Sequence, residues 1–155
     1  MKKFWKRNQG TIIVVGIVVL LLLFTLLTGE KKQKDEEQID WESVSEEVQT
    51  WYLATQEDQS VVTVIASSTC PHCSTYKPVI QEVADEEQFK LFIFDVDTLS
   101  SEDSNALHNA YVLENNEGYV PYTFITNAGS FVVDYTGGMD KDTAIGFLKD
   151  NHVIE

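Results

Sequence analysis

The stretch that decides the fold is Val61-Val62-Thr63-Val64-Ile65-Ala66, followed by Ser67-Ser68-Thr69-Cys70-Pro71-His72-Cys73. Its first part is rich in β-branched residues and is bounded by polar ones, a pattern typical of a short strand buried in a sheet. Pro71 suits the first position of a helix, where the N–H that proline lacks would have no partner anyway. The stretch therefore predicts a buried strand, a short loop and a helix that begins at the first cysteine.

The placement of the two cysteines predicts redox chemistry. Two cysteines three residues apart on the first turn of a helix are close enough to form a disulfide. Cys70 faces the open end of that helix, where unpaired N–H groups and the helix dipole stabilise an anion. This environment lowers the pKa of a thiol, and the thiolate is the nucleophile in disulfide exchange. His72, when charged, would further favour the Cys70 thiolate.

Two other interpretations of the cysteine pair remain open. It could be half of a zinc site, with His72, His108 or His152 as further ligands, although His72 lies between the cysteines and the other histidines stand in unrelated segments. It could also be a structural disulfide, although a bridge that closes so short a loop removes little chain entropy. The strand-to-helix context favours the redox interpretation, for which no metal and no cofactor are predicted.

Hydrophobic patterns predict an alternation of helices and strands along the rest of the chain. The order is helix, strand, helix, strand, helix, strand, strand, helix, and Asp140 is the predicted N-cap of the last helix. Strands joined by helices pair in parallel, whereas the final hairpin adds an antiparallel pair, so the predicted class is α/β with a mixed sheet. The predicted segments are helices 41–56, 70–87, 99–111 and one after residue 140, and strands 61–66, 89–96, 122–126 and 131–135.

The charge of the chain is unevenly distributed. The 155 residues carry a net charge of −14, yet four basic residues precede residue 11 and all 25 acidic residues lie at Glu30 or later. Residues 29–155 contain only seven basic residues and so carry −18. Nucleic-acid phosphates require clustered Lys and Arg, so nucleic-acid binding is excluded as a function.

The N-terminal region predicts a membrane anchor. Residues 11–28 contain no charge, and 14 of these 18 residues are Ile, Val, Leu or Phe. A helix of that length spans about 27 Å, close to the thickness of the hydrocarbon core. A signal peptide is the alternative, but its apolar region is usually shorter and ends at an Ala-x-Ala site, which is missing here. Flanking Lys and Arg place residues 1–10 in the cytoplasm and the C-terminal domain outside it. Residues 29–40 are predicted to be a charged linker, and residues 41–155 the folded domain.

Several features in the right order make residues 41–155 similar to the thioredoxin superfamily. The Cys70-Pro71-His72-Cys73 motif has the Pro-His centre of DsbA-type thiol oxidases, and Pro78 matches the proline inside the active-site helix of thioredoxins. Asp95-Val96-Asp97 resembles the end of the next parallel strand, and Val120-Pro121 resembles the cis-proline before the hairpin. Gly137-Gly138 falls where the family has glycine after the last strand.

The resemblance implies roles for these residues. Cys70 would be the attacking cysteine and Cys73 the resolving one, together forming a redox-active disulfide. Pro71, His72, Val120 and Pro121 would support the site, with Pro121 beside the cysteines against an extended substrate segment. Two positions depart from the family: Val64 stands where thioredoxins carry a buried acid, and Thr69 replaces the usual aromatic residue. Without the buried acid, a base for Cys73 is missing, which puts efficient reductase turnover in doubt.

The sequence thus predicts a membrane-anchored, extracytoplasmic thiol–disulfide oxidoreductase that leans towards oxidation. Its partners would be protein thiols and disulfides, the membrane through residues 11–28, and a membrane redox partner for recycling. The alternatives are a disulfide reductase or a thioredoxin-like accessory module that binds a partner and makes little use of its cysteines. The chain also resembles, more weakly, small membrane-tethered thioredoxin-like proteins of Gram-positive bacteria, including bacteriocin accessory proteins.

Overall fold

A computed structural model describes residues 39–111 and 118–155 of the chain. Over these ranges the helices and strands follow one another in the predicted order. The helices are α1 (Glu46–Thr55), α2 (Pro71–Glu87), α3 (Ser101–Ala110) and α4 (Lys141–Asp150), and the strands are β1 (Ser60–Ala66), β2 (Lys90–Asp95), β3 (Tyr122–Asn127) and β4 (Ser130–Thr136).

The strands form one mixed sheet in the order β2-β1-β3-β4. Strand β1 is parallel to β2 and antiparallel to β3, while β3 and β4 form the antiparallel hairpin. The hairpin turn consists of Ala128 and Gly129, both with positive φ, which matches the right-handed twist of the two strands. Since β1 is paired on both sides, its carboxyl end holds a fixed place in the middle of the sheet.

Strand β1 is buried on both faces, as the sequence predicts. On one face, Val62 and Val64 pack in a core with Tyr76 and Ile80 of α2 and with Leu148 of α4. Helix α2 therefore lies against the strand that leads into it. This packing, rather than the loop alone, fixes the direction in which α2 leaves the sheet.

The other face of β1 packs against a mainly aromatic core. Ile65 lies here with Phe94, Phe124 and Trp51, and Trp51 is completely buried. The Trp51 Nε1–H donates to Thr63 Oγ1 at 2.9 Å, so the one polar side chain in the middle of β1 has a partner. Such pairing matters because an unpaired buried hydroxyl is costly.

Helix α1 begins at Glu46, so the predicted start at Trp41 was wrong by five residues. Residues 41–43 form a turn in which Ser43 N–H donates to the Asp40 carbonyl at 3.1 Å. Ser45 is the N-cap, with its side chain accepting from Val48 N–H, and its own N–H donates to Asp103 at 2.8 Å. Val44 in this turn is also buried, so the apolar pattern of the helix extends into the turn. The helix itself starts only after the capping residue Ser45.

The predicted anchor, residues 11–28, lies outside the described residues, as do residues 1–10 and most of the linker 29–40. Among the residues described, no helix is both long enough and apolar enough to cross a bilayer.

Candidate active site

Cys70 lies at the end of the short loop that joins the central strand β1 to helix α2. It is the N-cap residue of α2, and Pro71 occupies the first position of that helix. The Cys70 sulfur accepts from Cys73 N–H at 3.4 Å, taking the place of the oxygen that usually caps a helix. Cys70 is partly exposed, so its sulfur can be reached from solvent.

Cys73 lies one turn further along α2 and is completely buried. Its sulfur accepts from the backbone N–H of Ser67 at 3.5 Å. No disulfide joins the two cysteines in this structure, and the Cys70 sulfur accepts from Cys73 N–H. The structure thus brings together an accessible and a sheltered thiol, the arrangement that the resemblance implies for an attacking and a resolving cysteine.

The two thiols have opposite pKa shifts. Hydrogen bonds from the Cys73 thiol, from Cys73 N–H and from His72 N–H lower the pKa of Cys70. Burial raises the pKa of Cys73, and its hydrogen bond to Cys70 acts in the same direction. The hydrogen bond from Ser67 N–H and, more weakly, the charge of Lys77 lower the pKa of Cys73. Cys70 is therefore the thiol that ionises first as the pH rises.

A cis peptide bond joins Val120 and Pro121, as the resemblance implies. The Val120 carbonyl accepts from the Cys70 thiol at 3.5 Å, so this segment lies directly beside the accessible sulfur. Gly137 N–H donates to the Pro121 carbonyl at 2.8 Å. Gly137 has a φ of 108°, a backbone conformation that favours glycine, and a Cβ at Gly138 would make only an ordinary contact, 3.4 Å from Tyr76 Cβ.

The Asp97 carboxylate holds the loop before Cys70, a contact that the sequence did not predict. Asp97 was interpreted only as a strand-end residue, yet its Oδ2 accepts from Ser67 Oγ at 2.7 Å and from Ser68 Oγ at 2.9 Å. It also accepts from Thr69 N–H at 3.2 Å. These hydrogen bonds lower the pKa of Asp97, so it is charged at neutral pH. The sequence feature that could have predicted this contact is the run of three hydroxyl residues, Ser67-Ser68-Thr69, together with an acid just after the neighbouring parallel strand.

The two departures from the thioredoxin pattern have clear structural counterparts. Val64 is completely buried in the core beside α2, so no acid stands in β1 at that position. Thr69 is exposed, and its hydroxyl pairs with Ser67 Oγ at 2.9 Å. Polar contacts to Asp97 thus occupy the loop position where the family usually has an aromatic ring.

The histidines do not gather around the cysteines. His72 is exposed on the first turn of α2, His108 is exposed near the end of α3, and His152 is exposed after α4. Within residues 39–111 and 118–155, no three His, Cys, Asp or Glu side chains are grouped so that they could hold a metal ion. The half-zinc-site interpretation therefore gains no support from the described residues.

Solved structures with a similar fold include two thioredoxins. The chain is similar to thioredoxin from Aeropyrum pernix, with a TM-score of 0.55 and 17% identity over 66% of this chain and 82% of that one. It is also similar to oxidised mitochondrial thioredoxin 3 from Saccharomyces cerevisiae, with a TM-score of 0.50 and 12% identity over 68% and 88% of the two chains. No protein-family model and no curated protein sequence matches the chain. The chain thus has a thioredoxin-like fold, as predicted.

The different surroundings of the two thiols predict that alkylation distinguishes them. In the reduced protein near neutral pH, iodoacetamide should modify Cys70 several-fold faster than Cys73, because only thiolates react, the pKa of Cys70 is lowered, and the pKa of the buried Cys73 is raised. The Cys70 rate should reach its plateau at a lower pH than that of an ordinary cysteine, whose pKa is about 8.5. Peptide mass spectrometry over a pH series measures both rates. Faster labelling of Cys73, or a Cys70 profile like that of free cysteine, would contradict this assignment.

Proposed function

We propose that this chain is a membrane-anchored, extracytoplasmic thiol–disulfide oxidoreductase that exchanges disulfides with protein substrates through Cys70 and Cys73. The observation that carries the proposal is the pairing of an accessible thiol of lowered pKa at a helix start with a buried thiol one turn behind it. The cis Val120-Pro121 segment lies beside the accessible sulfur, where an extended substrate segment would be held.

Oxidation of a substrate proceeds in two exchanges. A substrate thiolate attacks Cys70 Sγ in the Cys70–Cys73 disulfide, and Cys73 leaves as a thiolate. A second substrate thiolate then attacks the substrate sulfur of the mixed disulfide, and Cys70 leaves as a thiolate. The substrate gains a disulfide, and the cysteine pair has taken up its two electrons. Reduction of a substrate is the same path in reverse, with Cys70 attacking and Cys73 releasing the product.

The proposed direction is oxidation. Interactions that stabilise the Cys70 thiolate stabilise the reduced pair and so make the disulfide more oxidising. Hydrogen bonds from Cys73 and from His72 N–H act in this sense. A buried carboxylate that would take the Cys73 proton is replaced by Val64, which disfavours attack by Cys73 on a mixed disulfide. An oxidase must be reoxidised after each turnover, so we infer a membrane redox partner.

The proposed location follows from sequence alone. The uncharged residues 11–28 would span the bilayer, and the basic residues before them would stay in the cytoplasm. The domain would then work outside the cytoplasm, where disulfides form and persist.

Single serine substitutions should separate the roles of the two cysteines. Cys73→Ser should accumulate mixed disulfides through Cys70, because no buried thiolate remains to release the bound substrate. Cys70→Ser should abolish exchange and trap no partner, because Cys73 is inaccessible. Non-reducing gels of cells that express each variant, with the double serine variant as the control, reveal the trapped species.

Two outcomes would count against the proposed function. Partners trapped on Cys73 in Cys70→Ser, and none on Cys70 in Cys73→Ser, would reverse the assignment. Full biological activity in the double serine variant would instead identify the domain as an accessory module in which the cysteines matter little.

The proposed location predicts which part of the chain a protease can reach. Protease added to intact cells, with any wall removed, should digest the domain from residue 29 onward and leave the fragment that contains residues 11–28 in the membrane. Lysed cells provide the control for total digestibility. Full protection of the domain, or a mature N-terminus near residue 29, would show that the anchor or its orientation is wrong.

A further inference from the structure

Ser67 connects the loop before helix α2 to both cysteines. Its backbone N–H donates to Cys73 Sγ at 3.5 Å, and its carbonyl accepts from Cys70 N–H at 3.2 Å. Ser67 is only 6% exposed. A displacement of this one residue would therefore change the surroundings of the buried sulfur and the backbone of the accessible cysteine together.

Asp97 fixes the side chain of Ser67. Its Oδ2 accepts from Ser67 Oγ at 2.7 Å, the shortest of its contacts to the loop. Further contacts come from Ser68 Oγ at 2.9 Å and from Thr69, whose N–H lies at 3.2 Å and whose Oγ1 lies at 3.4 Å. One carboxylate oxygen thus accepts hydrogen bonds from all three residues of the loop, Ser67, Ser68 and Thr69.

Asp97 is itself held relative to the central strand. Its N–H donates to Asp95 Oδ1 at 3.1 Å, and the same oxygen accepts from Ser68 N–H at 3.0 Å. Val96 N–H donates to the Ala66 carbonyl at 2.8 Å, which continues the parallel pairing of β1 and β2. The other oxygen of Asp95 lies 3.6 Å from Lys77 Nζ on helix α2. Asp97 therefore has a fixed position relative to the sheet, and its hydrogen bonds fix the position of the loop.

We propose that Asp97 is a positioning residue of the cysteine pair, which acts through Ser67 to hold the Ser67 N–H against Cys73 Sγ. The inference rests on the proposed function, since it assigns Asp97 a part in the chemistry of that site. Asp97 has no contact with either sulfur among its hydrogen bonds, so its effect on Cys73 is indirect.

The Ser67 N–H serves the exchange in both directions. When a substrate thiolate attacks Cys70 of the disulfide, the bond to Cys73 breaks and the electron pair remains on Cys73 Sγ as a thiolate. When the Cys73 thiolate attacks Cys70 in a mixed disulfide, the Cys70–Cys73 bond forms and the substrate sulfur leaves as a thiolate. A donor aimed at Cys73 Sγ stabilises its thiolate, which is the leaving group in one direction and the nucleophile in the other.

A purely electrostatic role of Asp97 would have the opposite sign. A negative charge near the pair disfavours a thiolate, so neutralising Asp97 would by itself increase the ionised fraction of Cys73. Loss of the positioning contact would decrease it, because the Ser67 N–H would no longer be held on the sulfur. The sign of the change therefore separates the two roles.

Titration of Cys73 tests the inference without any substrate. In a Cys70→Ser background Cys73 is the only thiol, and its thiolate absorbance is followed against pH for Asp97→Asn, Ser67→Ala and the double variant. Asp58→Asn is the matched control, because Asp58 is exposed and precedes β1, at the opposite end of that strand. Asp97→Asn and Ser67→Ala should each lower the Cys73 thiolate fraction at a fixed pH about three-fold. The double variant should be no lower than the lower single variant, and the control should be unchanged.

The intact cysteine pair gives a second readout. The chain is loaded with glutathione on Cys70, and the release of glutathione by Cys73 is timed. Asp97→Asn and Ser67→Ala should each slow this release about three-fold, in proportion to the lost thiolate. Near-UV circular dichroism of each variant shows whether the domain is folded.

The results separate failure of this inference from failure of the proposed function. An unchanged or increased thiolate fraction in folded Asp97→Asn overturns the positioning role, as do additive effects in the double variant. If Asp97→Asn does not fold, an unchanged thiolate fraction in Ser67→Ala overturns it. A wild-type chain that exchanges no disulfides with glutathione contradicts the proposed function, while the titration still reports on Asp97.

Discussion

The double pairing of strand β1 is the constraint on which the candidate site depends. Hydrogen bonds to β2 on one side and to β3 on the other fix the place of its carboxyl end, and buried side chains cover both of its faces. Four residues separate the end of the strand from the start of helix α2, and packing of Tyr76 and Ile80 against Val62 and Val64 sets the direction of the helix. The antiparallel pairing of β1 with β3 brings Val120 and Pro121, just before β3, to the N-terminal end of helix α2.

The difference between the two thiols follows from the fixed position and direction of helix α2. The helix spacing that puts Cys70 at the open end puts Cys73 inside, against the sheet. Cys70 gains hydrogen bonds from Cys73 and the helix N–H groups, which favour its thiolate, whereas burial disfavours the thiolate of Cys73. One turn of helix therefore separates a thiol whose ionisation is favoured from a thiol that is buried behind it.

Local patterns predicted most of the fold and the core of the site. Buried strands and helical spacing predicted the right element order, and the family resemblance of the cysteine motif and Val120-Pro121 pointed to residues that the structure brings together. The start of α1 was missed because the apolar pattern runs through Val44 into the preceding turn, and only the cap at Ser45 marks the boundary. The role of Asp97 was missed because its contacts to Ser67 span 30 residues and depend on which strands are neighbours. Pairing of that kind is decided by the whole sheet, not by local sequence.

The reduction potential of the Cys70–Cys73 pair tests the central claim most directly. Equilibration with glutathione buffers, read by alkylation of the free thiols, gives its value. An oxidase requires a potential nearer to about −120 mV than to about −270 mV, the values of DsbA and thioredoxin. A value at or below about −270 mV would contradict the oxidising direction, because the disulfide would then be too stable to pass to substrates. A pair that forms no disulfide across the accessible buffer range would contradict the redox function itself.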